Sequence, residues 1–328
     1  MEDEFQFIKN ITPKQTNQSS LVKGIGDDAA LFRGSSDYEE IVCVDTMVED
    51  VHFNRKTMPP WNIGYKALAA NVSDVAAMGG IPTYYVVSIA IPPTWKDEEV
   101  YEIYQGMTAL ASTYKMDVIG GDTVSTSDRL VISVTVLGRV EKGRHLLREN
   151  AKPGDIAFVT GDVGASAAGL ELLLQFGHTH LFTENEQKLV DAHQRPLPQV
   201  KAGRVLAESG LRLSLNDISD GIASEVNEIA EASHVKIVID REKIPFASQL
   251  HIYSQKQIDT YGLFGGEDFQ LIGTVAKSDW PQLTQKFGQA GITVSRIGEV
   301  YDGESKAYIK VADNIIPLEK SGYNHFNR

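Results

Sequence analysis

Hydrophobic and polar positions alternate along the chain in blocks of two lengths. Glu40–Asp45 and Tyr84–Ile91 are short β-branched and aromatic runs, the second closed by Pro92-Pro93, and both predict buried strands. Between them, 63–78 is rich in Ala and Leu, follows Pro59-Pro60 and stops at Gly79-Gly80, which predicts a helix carrying Asn71 and Asp74 on one face. Val100, Ile103, Tyr104, Met107, Leu110, Ala111 and Tyr114 recur at helical spacing, with Asp97 at capping-box distance from Thr94. Met116–Ile119 and 130–137 read as strands flanking a Gly-Gly-Asp-Thr turn at 120–123. Residues 141–150 are charged, and Lys152-Pro153-Gly154-Asp155 is a turn, so a domain boundary is expected near 150, giving domains 1–150 and 151–328.

The second half restarts with a strand at 156–160, a glycine-rich turn at 161–164 and a helix at 165–176. Helices are expected at 186–193, 200–209, 222–232 and 280–290, and strands at 235–240, 269–275 and 293–300. The order reads as α/β and α+β. At 328 residues the length suits two domains, each with its own core.

Charge narrows the function. The formal net charge is -13, which disfavours an electrostatic grip on nucleic acid or an anionic membrane. No apolar run approaches the roughly 18 residues of a membrane span, and Met1-Glu2-Asp3-Glu4 opens the chain with acid, so a cytoplasmic location is expected. The single cysteine, Cys43, lies in an apolar run and reads as a small core residue.

Acidic residues at tight or strand-end positions carry the candidate chemistry: Asp27 and Asp28 in Gly24–Ala30, Asp45, Asp74, Asp122, Asp217 and Asp220. Taken singly, each could cap a helix or end a strand. Together, if they meet, they offer the hard oxygen ligands that suit magnesium shared with a polyphosphate. Gly24-Ile25-Gly26-Asp27-Asp28-Ala29 fits the dinucleotide pattern only formally, since the stretch before it is polar and two carboxylates would repel a pyrophosphate. No Gly-Lys pair exists for a P-loop, and no paired His/Cys spacing exists for zinc. Gly161 and Gly164 fit either a phosphate cradle or close helix packing.

As an ordered set, Gly24–Asp28, Asp45-Thr46-Met47-Val48 with His52-Phe53, Tyr65–Ala69 with Asn71–Gly79, Ile119–Thr123, Asp217–Gly221, Gly265–Asp268 and Gly322-Tyr323 resemble the thiamine-monophosphate kinase family. The resemblance runs the length of the chain. It implies an N-terminal α/β domain whose strands contribute to a barrel across a homodimer, and a C-terminal α+β domain closing an acidic cleft. It also implies ATP and thiamine monophosphate as substrates and several Mg2+ ions. By motif position, Asp28, Asp45, Asp74, Asp122, Asp217 and Asp220 would ligate magnesium, with Asp45, Asp122 and Asp220 central to catalysis. Gly121, Asp122, Arg148 and Ser219 would hold ATP with Tyr104 lining its pocket, and His52, Glu267 and Tyr323 would contact thiamine monophosphate. Cys43 and Val44 depart from serine and threonine common in the family. The competing readings are an aminoimidazole ribonucleotide or selenophosphate synthetase of the same superfamily, and a non-catalytic Mg-nucleotide sensor.

Overall fold

The computed structural model describes residues 11–23 and 31–320, so Asp27, Asp28 and Tyr323 lie outside the described residues. The chain forms two compact units: residues 1–75, 81–142 and 176–180 in one, and 76–80, 143–175 and 181–328 in the other.

In the first unit, β1 (Leu21–Lys23) and β2 (Leu31–Phe32) form a small antiparallel pair. They precede β3 (Tyr38–Val48), α1 (Pro60–Ala77), β4 (Ile81–Ile91), α2 (Asp97–Tyr114), β5 (Asp117–Ser125) and β6 (Val131–Glu141). The last four strands form one sheet in the order β3-β6-β4-β5. β4 and β5 run parallel, and α2 makes the crossover that a parallel pair requires. α1 starts on Pro60, where a missing N–H costs nothing, and stops at Gly79, whose φ of +71 ends the turn. α2 begins later than its sequence suggests. Asp97 is its first helical residue, and the carboxylate of Glu99, not Asp97, accepts the N–H of Lys96 (2.8 Å).

Among the described residues only one face of this sheet is covered. Ile132, Val134 and Val136 of β6 and Val87 and Ile89 of β4 are fully buried on that face. On the other face, Val42 and Val44 are 71% and 60% exposed and Val124 of β5 is 47% exposed. The expected buried strand at 40–45 is therefore an edge strand buried on one side at most. The expected turn at 120–123 is also corrected: Gly120-Gly121-Asp122-Thr123 lies inside β5, in parallel register with Val86–Ile89.

The second unit contains β7 (Asp155–Thr160), α3 (Ala165–Phe176), α4 (Glu184–Gln194), α5 (Val200–Ala207), β8 (Leu213–Asp217), α6 (Ile222–Ser233) and β9 (Lys236–Asp240). Then come β10 (Leu271–Ala276), α7 (Trp280–Ala290), β11 (Val294–Tyr301), β12 (Ala307–Val311) and β13 (Asn314–Pro317). Seven strands form a mixed sheet, β13-β12-β9-β11-β7-β10-β8, in which only β12 and β9 run parallel. Ile222, Val226 and Ile229 of α6 pack with Val159, Ile237, Ile239 and Ile272 of the sheet in one core. Leu173 of α3 and Leu189 of α4 belong to a second, smaller one. β8, β12 and β13 are strands that hydrophobic patterning does not mark.

Candidate functional site

Two clusters gather most of the predicted residues, one in each unit. In the first, residues 43 and 45 alternate onto the covered face of β3, paired with buried Val136 and Val134. The Cys43 thiol donates to the Asn71 carbonyl of α1 (3.2 Å) and is within hydrogen-bond reach of the Asp74 carboxylate. Burial first, then the charges of Asp74 and Asp45, pushes that thiol's pKa far up, so Cys43 stays a neutral thiol. It is half-buried among carboxylates and is not plain core filler. Asp45 is open to solvent on its outer side, yet surrounding protein atoms still raise its pKa, against the opposing pull of nearby His52. His52 is itself held by the turn after β3, its Nδ1 accepting the Val48 N–H (3.0 Å). Asp45 and Asp74 thus meet at Cys43, with His52 beside Asp45.

Asp122 is not with them. Across the sheet Thr46, Ser133, Ser88 and Asp122 pair in one row, on the face opposite Asp45. Its strand is three positions from β3, about 14 Å at the usual strand spacing. Gly121 has a backbone reason to be glycine, since a Cβ there would lie 2.1 Å from the Val87 carbonyl oxygen. Tyr104 is 8% exposed, with its ring in the packing of α2 beside Tyr85.

The second cluster is built where two loops pair. Ile218 and Glu267 set the register: the Phe269 N–H donates to the Ile218 carbonyl (2.9 Å) and the Glu267 N–H to that of Ser219 (2.7 Å). This lays Ser219 and Asp220 along Gly265–Glu267, with Asp217 buried at the end of β8. Arg148 joins from the other side, its Nε donating to Asn216 Oδ1 (3.0 Å) and its guanidinium pairing with Glu228 (2.8 Å). Glu267 sits at φ +65, a conformation non-glycine residues seldom adopt.

Glu225 and His193 escaped the sequence reading, and Asp268 entered it only as the end of the Gly265–Asp268 stretch. Glu225, 2% exposed on the first turn of α6, takes hydrogen bonds from Asn216 Nδ2, Ser219 Oγ (3.2 Å) and the Asp220 N–H (3.1 Å). Burial, then the charges of Asp217 and Glu228, pushes its carboxyl pKa up to about 8. His193, 2% exposed on α4, has Nδ1 3.5 Å from Glu267 Oε2 and 3.2 Å from Ser166 Oγ. Its signal was a histidine beside Leu189 and Val190 on an apolar helix stripe. Asp268 accepts the N–H groups of Gly164 (2.7 Å) and Ser166 (3.1 Å), capping α3. Two more donors of the turn are taken, Gly161 N–H by the Thr293 carbonyl and Val163 N–H by the Pro245 carbonyl, which favours the turn and close packing as the reason for these glycines.

Among the described residues no three His, Cys, Asp or Glu side chains converge as a ready metal cage. The donors still fit magnesium, which is typically held by one or two carboxylates completed by waters and substrate phosphates. Buried Asn71, one turn from Asp74, also has an Oδ1 with no hydrogen-bond partner, a further oxygen of the right kind. No helix among the described residues is long and apolar enough to cross a membrane.

The chain matches the family models for the N-terminal domain (residues 26–140) and the C-terminal domain (152–310) of AIR synthase related proteins. It is 50% identical to the thiamine-monophosphate kinase of Bacillus subtilis over 99% of both chains, and 35% identical to that of Aquifex aeolicus over 98% of both. Its fold is similar to the thiamine-monophosphate kinase of Stenotrophomonas maltophilia, with a TM-score of 0.83 at 29% identity over 93% of this chain and 95% of that one. It is similar also to a solved structure described as AaThiL complexed with AMPPCP and TMP, with a TM-score of 0.78 at 33% identity over 93% and 92% of the two chains. With its two-domain α/β architecture and mixed sheets, the chain belongs to the thiamine-monophosphate kinase family within the AIR synthase related proteins.

Proposed function

We propose that this protein transfers the γ-phosphoryl group of ATP to the phosphate of thiamine monophosphate, yielding thiamine diphosphate and ADP. The observation that carries the reading is the 50% identity to the Bacillus kinase across essentially the whole of both chains. A solved relative holding AMPPCP with TMP supports it. The acceptor needs no general base, because a phosphate monoester with a second pKa near 6 is already mostly dianionic at neutral pH. What the reaction demands is the alignment of two polyanions and the cancellation of their charge.

Magnesium would supply that cancellation, and the chain's own groups have matching roles. Asp45, Asp74, Asp122, Asp217 and Asp220 would be its ligands, with Asp28 added by motif. Arg148, Ser219, Gly121 and Asp122 hold ATP. His52 and Glu267 face thiamine monophosphate, the carboxylate of Glu267 complementing the thiazolium cation, and Tyr323 covers it by motif. A homodimer belongs to the same reading. The uncovered sheet face with Val42, Val44 and Val124 is the kind of surface that closing a barrel with a second copy would bury, and it gives edge strands β3 and β5 partner edges. We place the domain boundary near 150, consistent with the family models ending at 140 and restarting at 152.

The test is to mix the protein with Mg-ATP and thiamine monophosphate and to separate the products chromatographically. Thiamine diphosphate forming in step with ADP is expected. Nucleotide binding with no product in either channel would replace the kinase by a sensor.

A further inference from the structure

The strongest unexplained feature of the second unit is a buried carboxylate that touches three candidate site groups. Glu225 accepts hydrogen bonds from the Ser219 hydroxyl, the Asp220 backbone N–H and the Asn216 amide. The other end of the same Asn216 amide accepts the Nε–H of Arg148. This arrangement has a fixed polarity. Arg148 can only donate, so Asn216 must turn its oxygen toward it, and its NH2 is left for an accepting oxygen. Oε2 of Glu225 is that oxygen, with Oε2 of Glu228 at 3.5 Å as a longer second contact. At 2% exposure Glu225 has almost no solvent to satisfy it, and its carboxyl group is met by these three donors, two on Oε1 and one on Oε2.

We infer that Glu225, acting through Asn216, is a positioning residue for the nucleotide: it sets the aim of the Arg148 guanidinium and the path of the Ser219-Asp220 backbone at the same time. The inference rests on the assignment of Arg148, Ser219 and Asp220 to ATP. Glu228 braces the far side of the guanidinium, at 2.8 Å, but it is partly exposed and reaches neither Ser219 nor Asp220 through any hydrogen bond among those described here. Coupling the two halves is the property of Glu225 alone among these groups.

The polarity gives a test that a merely structural role would not pass. Glu225→Gln presents an NH2 to the NH2 of Asn216. Either amide can relieve the clash by turning over, but Asn216 then loses Arg148 and residue 225 loses Ser219 and Asp220. Adding Asn216→Asp restores an acceptor facing both Arg148 and the new amide, with the net charge of the pair unchanged. Isothermal titration with Mg-AMPPCP and steady-state kinetics are the readouts. For E225Q we expect a Kd and an ATP KM raised by about 10-fold or more, as for a lost charge-assisted hydrogen bond. The KM for thiamine monophosphate should stay within about 2-fold of wild type. The N216D/E225Q double variant should recover nucleotide affinity to within about 3-fold of wild type.

E225Q that binds nucleotide as wild type does would overturn the inference, and so would a folded double variant no better than E225Q. Should E225Q not accumulate as folded protein, the double variant decides alone on the same 3-fold limit. A wild-type chain that binds Mg-AMPPCP but makes no thiamine diphosphate, with the same ordering of variants, would sink the kinase reading and leave this one standing.

Discussion

Asp268 offers a prediction that can be worked from its surroundings. Its carboxyl group is enclosed, although the residue as a whole keeps part of its surface, and it caps α3 through the N–H groups of Gly164 and Ser166. Burial, then repulsion from Asp162 and Glu267, outweighs those two hydrogen bonds and pushes its pKa from 3.8 up to about 7. Between those values the folded protein keeps a proton that the unfolded chain has released. Stability from this group therefore falls as pH rises from about 4 to about 7 and is level outside that window. About three pKa units correspond to roughly 4 kcal/mol at 1.36 kcal/mol each, which the remaining surface of the residue reduces to about 2–4 kcal/mol. Asp268→Asn removes the titration but leaves one N–H facing an NH2, costing about 1–3 kcal/mol at every pH. The variant should thus melt below wild type at pH 4.5, and the gap should close or reverse by pH 8. At roughly 2–4 °C per kcal/mol the gap should move by about 4–16 °C. The assay is a reversible melting series in metal-free buffer without nucleotide. A gap that is constant across the series, or that widens toward pH 8, would refute the reasoning, because it would mean that the two N–H donors dominate.

Three further outcomes are expected. Asp45→Asn and Asp122→Asn should each lower kcat by on the order of 100-fold or more with unchanged melting, and near-normal kcat at saturating Mg2+ in either would count against its place as a ligand. His52→Ala should raise the KM for thiamine monophosphate more than that for ATP, whereas the reverse order would move His52 to the nucleotide side. Val44→Lys puts a charge on the uncovered sheet face and should convert a dimer to a monomer in sedimentation velocity. A variant as dimeric as wild type would remove that face from the interface.

Much of the fold is legible in local pattern. The 3.6-residue recurrence from Val100 to Tyr114 and the proline and glycine stops around α1 mark helices that the structure contains, because one buried stripe and its termini are properties of a single segment. Pattern failed where burial is satisfied from afar. β8 looks too polar for a strand at Ser214 and Asn216, yet Ser214 pairs with Thr274 (2.8 Å) and Asn216 with Glu225 and Arg148, partners set by sheet and helix packing. Gly120–Thr123 looks like a turn because Gly and Asp disfavour strands, but the close passage of Val87 makes Gly121 fit the sheet.

The acidic residues themselves, and their suitability for magnesium, were determined by the sequence alone. Only the tertiary structure decided which of them meet: Asp45 and Asp74 come together because α1 packs on one face of β3, and strand register sends Asp122 to the other face. Glu225 and His193 acquired their significance in the same way, as buried polar groups whose partners lie in other elements. The chemistry of a side chain is local, whereas its neighbours are settled by register, crossover and the need to pair every buried polar atom.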